Sequence, residues 1–296
     1  MNGYFNIYKP SGMSSAAVVA VMRRLTGEKR VGHAGTLDPE AAGVLPVMTG
    51  RATRLFDYLV DKEKEYVAVI AFGSRTDTQD ATGAVLETGE DYPTIDRVRA
   101  EATQLVGEIR QTPSVYSAIK VNGKPLYLRA RKGEDAKVPE RIVHIDRIDV
   151  LREVPDHGME LHVVCGRGTY IRTLCDDLGQ LCGCPAHMRS LVRTRSGVFT
   201  MDQAITLEEA RQRAADGTLA DCVLPPDMPL AHLPAILLPE SCRKKAEAGA
   251  AIPAAMVGES VPEQGDIGRA YLSDQFWGIL ERHDDQLLWR VQMPPE

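Results

Sequence analysis

A carboxylate that could act as a catalytic group lies in a glycine-rich stretch of low charge, residues 31–45, which reads VGHAGTLDPEAAGVL. The carboxylate belongs to Asp38, and the glycines at 32, 35 and 43 surround it. Glycine adopts positive φ and lets a ligand approach the main chain, while Pro39 restricts the backbone directly after the acid. A rigid loop that presents one acid, with His33 five residues earlier, suits a nucleophile or an acid–base group at a cleft. The same residues also suit a simple Asp-Pro turn, or the cap of a helix over residues 39–45.

The wording of this stretch closely resembles the catalytic motif of the TruB family, which isomerises a uridine in the T-loop of tRNA. GHAGTLDPEAAGVL matches that motif without a gap, and Asp38 falls on the nucleophilic aspartate of the family. The other resembling segments follow in the family's order: KPSG at 9–12, KEY at 64–66, TDTQDATG at 76–83, PSVYSAIK at 113–120, RGTYIRTL at 167–174 and LCGCPAHMRSLVR at 181–193. The resemblance covers residues 3–200 nearly continuously.

The resemblance implies a role for each of several side chains. The implied catalytic residues are Asp38, Tyr66 and Arg172. Tyr66 would stack on the target base, and Arg172 would pair with the aspartate and keep it ionised in a desolvated site. The implied substrate-binding residues are His33, Lys9, Tyr170, Leu191, Lys124 and Arg131. Among them, His33 would fill the space that the flipped base vacates, Lys9 would support the site, and Leu191 would line the uridine pocket.

The charge distribution is compatible with an RNA partner although the net charge is −6. Residues 1–200 hold 27 Lys and Arg against 25 Asp and Glu, whereas residues 201–296 hold 8 against 16. Residues 120–141 carry seven basic side chains against three acidic ones. RNA binding needs local basic patches and not a basic total. Charge alone leaves the question open, but the resemblance implies that the region of residues 120–141 grips the RNA arm, and we expect the acidic C-terminal part to contribute less.

The six cysteines do not form the dense pattern of a disulfide scaffold, so we expect free thiols in a reducing cytoplasm. Cys182, Cys184 and His187 invite a zinc interpretation, but a fourth ligand is missing nearby. We expect no metal and no cofactor. No apolar run is long enough to span a membrane, and the first ten residues lack the pattern of a signal peptide.

Hydrophobic periodicity predicts an α+β protein with two domains. One amphipathic helix is expected to begin at a cap, Ser14 or Ser15, and to end at Gly27, and a second covers residues 94–108. Thr206 with Glu209 forms a capping box for a helix that runs to Ala215. Residues 66–72, 142–151 and 159–165 read as strands. The resemblance implies the pseudouridine synthase fold: a largely antiparallel mixed sheet with flanking helices, and a small C-terminal PUA-like β-barrel. Prolines at 225, 226, 229 and 234 indicate a linker. We therefore predict a catalytic domain over residues 1–230 and a PUA-like domain over residues 236–296.

The function implied is isomerisation of uridine 55 of tRNA to pseudouridine, by a monomer that binds the T-arm without an obligate protein partner. Two other readings remain open, a guide-RNA-directed pseudouridine synthase and a non-catalytic module that binds or folds tRNA. A glycoside hydrolase would need two paired carboxylates, and the sequence shows no evident second acid for Asp38.

Overall fold

The computed structural model describes residues 1–60, 62–114, 116, 120–121, 124–125 and 138–294. The helices are α1 (Ser15–Thr26), α2 (Phe56–Val60), α3 (Ile95–Ala102), α4 (Ile171–Cys182), α5 (Leu207–Ala215) and α6 (Arg243–Glu247). The strands are β1 (Gly3–Lys9), β2 (Val31–His33), β3 (Ala42–Thr49), β4 (Lys64–Phe72), β5 (Ser74–Thr76), β6 (Val85–Thr88), β7 (Gly107–Gln111), β8 (Lys120–Val121), β9 (Lys124–Pro125), β10 (Arg141–Val154), β11 (Gly158–Cys165), β12 (Ala186–Ser196), β13 (Phe199–Thr200), β14 (Ile205–Thr206), β15 (Ala235–Leu238), β16 (Ile252–Pro253), β17 (Ile267–Leu272), β18 (Gln275–His283) and β19 (Gln286–Gln292). In the described part of the chain, no helix is long and apolar enough to span a bilayer.

A large sheet organises the N-terminal two thirds of the chain. Its strand order is β14-β1-β3-β12-β4-β11-β10-β7, with β13 beside β12 and β2 beside β3. The β1–β14 and β3–β12 pairs are parallel, and the other pairs are antiparallel. The expectation of a largely antiparallel mixed sheet with flanking helices is confirmed.

The two faces of this sheet bury different apolar clusters. On β1, Phe5 packs in a cluster with helices α1, α3, α4 and α5, whereas Tyr4 packs in a second cluster. On β3, Leu45 and Val44 divide between the clusters in the same way. Successive side chains of a strand point to opposite faces. Helices therefore cover one face, and the second cluster occupies the other.

A smaller sheet, with strand order β15-β17-β18-β19-β16, forms the C-terminal part. It curls into a half-barrel that fits a PUA-like domain. Ile279 and Met293 of this part lie in the second cluster together with Leu55 and Leu59 of the N-terminal part. The proline-rich segment between the sheets is packed too, because Leu230 is fully buried in the same cluster.

One predicted helix was too long. Residues 94–108 were expected to form a single helix, but α3 ends at Ala102 and a 3₁₀ turn follows over Thr103–Leu105. Gly107, at φ 97°, then starts β7, which pairs with β10. The apolar residues of the pattern are nevertheless inward, since Val98, Ala102 and Leu105 are all buried.

Candidate active site

The loop between β2 and β3 carries Asp38, and the start of α1 anchors that loop. The hydroxyl of Ser15 accepts a hydrogen bond from the Leu37 N–H at 2.9 Å and donates one to the Leu37 carbonyl, also at 2.9 Å. Ser15 begins α1 because Ser14 caps the helix, accepting a hydrogen bond from the Ala17 N–H. The residue before the acid is thus attached to a rigid helix, which restricts the position of Asp38.

Lys9 supports the same loop from its buried side. Its ammonium group donates to the carbonyls of Pro10, Met13 and Pro39 at 2.8, 2.5 and 3.0 Å. Burial lowers the pKa of Lys9 from its ordinary value of 10.5 to about 8, although the charge of Asp38 and another acid oppose the shift. Lys9 is absent from the cleft wall described below, so its place is that of a positioning residue.

Asp38 forms an ion pair with Arg172, 134 residues later in the chain. Arg172 Nε lies 3.0 Å from Asp38 Oδ2. The two partners differ in exposure: Arg172 is 5% exposed, whereas the Asp38 side chain is 40% exposed. The guanidinium thus holds the carboxylate from inside the protein and leaves part of it open to the cleft. This is the pairing that the sequence predicted.

A second carboxylate, that of Asp80, meets the same guanidinium. Arg172 Nη1 lies 3.3 Å from Asp80 Oδ2 and donates to the Thr78 carbonyl at 3.2 Å. Burial works to raise the pKa of Asp80, but hydrogen bonds from Thr82 and Thr78 and the charge of Arg172 hold it below its ordinary value. The segment TDTQDATG therefore forms a polar turn that binds Arg172. Asp80 is not among the site residues that the resemblance implies.

A buried polar network joins that turn to α4 behind Arg172. Asp176, one turn beyond Arg172 on the helix, accepts from Arg75 Nε at 2.7 Å and from Gln79 Nε2 at 3.2 Å. Thr173 donates to Gln79 Oε1 at 2.9 Å. These contacts lock the backbone on both sides of the Arg172–Asp80 pair, so the arginine is held in place before any substrate arrives.

Tyr66 and Arg193 form the floor of the cleft on neighbouring strands. The two residues pair across β4 and β12. Arg193 is 1% exposed and donates to the carbonyls of Val44, at 2.7 Å, and Gly35, at 3.1 Å. Burial raises the pKa of Tyr66, and the guanidinium of Arg193 opposes that rise. Arg193 was not predicted as a site residue, although it ends the A-H-x-x-x-L-x-R segment of the resemblance.

Two glycines of the motif, Gly35 and Gly43, lie close to Arg193. Gly43 has φ 108°, and a Cβ there would lie 2.2 Å from the Arg193 carbonyl oxygen. Gly35 has φ 89°, and its Cβ would lie 3.4 Å from Arg193 Nη1 and 3.7 Å from Lys64 Cε. Any side chain at either position would be strained, and at Gly43 it would separate β3 from β12. Packing against β12 therefore requires a glycine at position 43, whereas position 35 favours glycine because of its positive φ.

These residues surround a cleft of about 400 Å³. Its wall consists of Gly35, Thr36, Leu37, Asp38, Phe56, Lys64, Tyr66, Arg141, Gly166, Arg167, Gly168, Thr169, Tyr170, Ile171, Arg172, Leu191 and Arg193. Five of these side chains are cationic, and Asp38 is the one acid among them. In a chain with a net charge of −6, this concentration of positive charge makes the cleft suited to a polyanion.

The remaining predicted residues divide into three groups. Tyr170 and Leu191 line the cleft. His33 lies outside the cleft wall; burial lowers its pKa, and its Nδ1 has no hydrogen-bond partner among the described residues. Lys124 belongs to the short strand β9, and its side chain lies outside what the structure describes. Arg131 also lies outside the described residues.

The three residues that invited a zinc interpretation make other contacts in the structure. Cys182 and Cys184 are buried in the apolar cluster under the helices, and His187 Nδ1 lies 2.8 Å from the Ser74 carbonyl oxygen. Across residues 1–60, 62–114 and 138–294, no three His, Cys, Asp or Glu side chains are grouped as a metal site.

Comparison with known proteins identifies the family. The family described as "TruB family pseudouridylate synthase (N terminal domain)" matches residues 23–171, and the "tRNA pseudouridylate synthase B C-terminal domain" matches residues 172–231. The "tRNA pseudouridine synthase B" of Bacillus licheniformis is 42% identical over 257 residues, covering 85% of this chain and 83% of the relative. The protein of that name from Alkaliphilus oremlandii is 39% identical over 289 residues, covering 96% of this chain and 95% of the relative.

A solved structure supports the same assignment of the fold. The "Crystal Structure of a Cbf5-Nop10-Gar1 Complex" contains a chain with a TM-score of 0.72 and 26% identity, covering 98% of this chain and 84% of that one. The sequence matches extend over both the Asp38 loop and the Arg172 helix. The chain therefore belongs to the TruB family of pseudouridine synthases, which are isomerases.

Proposed function

We propose that this protein converts uridine 55 in the T-loop of tRNA to pseudouridine, with Asp38 as the nucleophile. The observation that carries the proposal is the ion pair in which a buried Arg172 presents a partly exposed Asp38 to a cationic cleft. The relatives named tRNA pseudouridine synthase B support tRNA as the substrate. Arg141 and Arg167 of the cleft wall are not buried, and they support an RNA phosphate backbone near the site.

The reaction is an isomerisation, so every atom of the uridine is retained. The bond from N1 of uracil to C1′ of the ribose breaks, and a bond from C5 to C1′ forms. C5 loses a proton, and N1 gains one. A carboxylate nucleophile divides this exchange into covalent steps of lower barrier. Asp38 would supply that carboxylate, and Arg172 would keep it ionised while the bound RNA excludes water.

The target base has to leave its stack in the RNA loop to reach Asp38. Flipping a base out costs a few kcal/mol, and stacking on an aromatic ring returns about 1–3 kcal/mol. Tyr66 lines the cleft with Asp38 and would provide that ring, while Leu191 would pack against the same base. His33 would occupy the space left in the RNA loop, outside the cleft wall.

The protein would act alone, as a cytoplasmic monomer. The chain from the Cbf5-Nop10-Gar1 complex shares the fold, but its identity of 26% is well below the 42% shared with the Bacillus licheniformis relative. The higher identity favours direct recognition of tRNA over guidance by a second RNA. Activity of the purified chain without added protein or guide RNA distinguishes these two possibilities.

The test is to incubate the purified chain with an unmodified full-length tRNA transcript and to map pseudouridine at every position. We expect conversion at position 55 alone. A transcript with cytidine at position 55 is the control and should remain unmodified. Modification elsewhere, or modification that requires a guide RNA, would contradict the proposal.

A further inference from the structure

Phe56 is an exposed aromatic residue at the edge of the cleft. Its exposed fraction is 39%. Among the large hydrophobic residues that are exposed in the described part of the chain, Phe56 is the only one that lines the cleft with Asp38. A single exposed apolar side chain is ordinary on a protein surface. Its position in the wall of the same cleft as Asp38 is what requires an explanation.

The local structure holds this ring outward. A 3₁₀ helix over Gly50–Leu55 continues into α2, and Leu55 and Leu59 of this segment are buried in the cluster shared with the C-terminal sheet. Arg51 and Arg54 of the same segment donate to backbone carbonyls at the C-terminal end, those of Pro294 and Gln292. Because the segment is anchored on its other side, residue 56 has to face the cleft.

The surroundings of the ring match single-stranded RNA better than they match an apolar ligand. Lys64, Arg141 and Arg167 line the same cleft. Single-stranded RNA combines phosphates, which bind cations, with unstacked bases, which stack on flat aromatic rings. A protein partner that docked on apolar surface would need a patch of several hundred Å², and Phe56 is a single exposed apolar side chain in the described cleft wall.

We propose that Phe56 stacks on an unpaired base of the substrate RNA loop, next to the nucleotide that enters the cleft. This inference rests on the proposed function, because it assumes an RNA loop in the cleft. Phe56 would add affinity for the loop without touching the reacting atoms. The ring would therefore select RNAs that present an unpaired base beside the flipped one.

The test measures binding directly, in an Asp38→Asn background so that the RNA is not converted. The probe is a fluorescein-labelled T-arm stem-loop transcript, and fluorescence anisotropy gives its Kd. The variants are Phe56→Ala, Phe56→Leu, which keeps apolar bulk without a flat ring, and Phe56→Trp, which keeps a ring. Leu237→Ala is the matched control, because Leu237 is 60% exposed on β15 and lies outside the cleft wall.

We expect Phe56→Ala and Phe56→Leu to weaken binding by about 5- to 150-fold, the range for one base–aromatic stack. Phe56→Trp and Leu237→Ala should bind like the parent. A fully paired duplex of the stem should bind all variants equally. If Phe56→Leu binds the stem-loop as tightly as the parent, or if the duplex shows the same loss, the inference is wrong.

The outcome separates this inference from the proposed function. If the unsubstituted protein forms no pseudouridine but Phe56→Leu still weakens binding of the stem-loop, the catalytic proposal fails and the stacking contact stands. If pseudouridine forms and Phe56→Leu binds normally, the stacking contact alone fails. Thermal unfolding of each variant checks that the segment over residues 50–60 remains folded.

Discussion

Replacing Asp80 with asparagine should slow catalysis while leaving the fold of its turn intact. Asp80 Oδ1 accepts hydrogen bonds from Thr78 and from both the amide and the hydroxyl of Thr82, and an amide oxygen can keep all three. Asp80 Oδ2 faces Arg172 Nη1 at 3.3 Å. In the variant that position holds an NH₂ group, so two donors face each other and one charge is lost.

The size of the effect follows from what remains around the guanidinium. Coulomb's law at an effective dielectric of 20 sets a ceiling of about 5 kcal/mol for unit charges at this separation. The actual loss is smaller, because Arg172 keeps Asp38 at 3.0 Å and the Thr78 carbonyl at 3.2 Å. Leaving one buried donor of the guanidinium unsatisfied costs about 1–3 kcal/mol, which corresponds to about 5- to 150-fold. We expect that loss in the rate, since the displaced guanidinium would hold Asp38 in the wrong place.

The assay is single-turnover formation of pseudouridine on the T-arm stem-loop, together with the Kd for the same RNA. Asp77→Asn is the matched control, since Asp77 lies in the same turn and accepts from the Ala84 N–H at 2.8 Å without an ion pair to Arg172. Asp80→Asn should lower the rate by the stated factor at nearly unchanged Kd, and Asp77→Asn should not. Equal rates for Asp80→Asn and the unsubstituted protein would refute the positioning argument.

Three further predictions concern residues around the site. Raising the pH through about 8 should slow turnover, because Lys9 then loses a proton and one of its three donors; a kcat–pH profile of Lys9→Met should lack this limb. Because the pKa of Lys9 in the folded protein lies below its ordinary value of 10.5, deprotonation between pH 8 and 10.5 removes the cost of the buried charge and stabilises the fold. A fall in stability traced to Lys9 in that pH window would contradict the assignment. Arg193→Lys keeps the charge, but the ammonium group reaches only one of the two backbone carbonyls that the guanidinium binds, so the free energy of unfolding in urea should fall by about 1–3 kcal/mol. An unchanged urea midpoint would show that the second hydrogen bond of the guanidinium is not needed. Ile279→Ala should cost about 2–5 kcal/mol because the side chain is fully buried between the two sheets, and a separate early transition of the C-terminal sheet would argue against their joint unfolding.

Local signals predicted the short elements of this fold well. Helix α1 begins after Ser14 and ends at Gly27, which is in the left-handed conformation at φ 67°. The predicted capping box of Thr206 and Glu209 is present in full at the start of α5. In each case one or two neighbouring residues determine the boundary, so a sequence pattern is sufficient.

Distant partners explain what the sequence did not reveal. The strand Gly107–Gln111 was missed because its pairing with β10 overrides the helical pattern that precedes it. The Ala186–Ser196 strand was not predicted either, although it carries Leu191 and Arg193 into the cleft. Its position between β3 and β4 is a property of the sheet order and not of its own residues.

The candidate site divides in the same way. The Asp38–Arg172 pair was expected from the family motifs, and the structure places these two residues in contact. The roles of Asp80 and Arg193 emerged only from contacts with residues far along the chain, 92 residues away for Asp80 and 149 for the Val44 carbonyl. The division into domains at residues 230–236 remains a prediction, and the apolar cluster across the two sheets indicates that the parts stabilise each other.

The nucleophilic role of Asp38 is tested most directly by comparing Asp38→Asn with the unsubstituted protein in single-turnover conversion of the T-arm stem-loop. The variant loses the anionic oxygen with almost no change of shape, and Arg172 remains buried behind it. We expect no detectable pseudouridine at a nearly unchanged Kd for the RNA. Pseudouridine formed by Asp38→Asn at a rate near that of the unsubstituted protein would contradict the central claim.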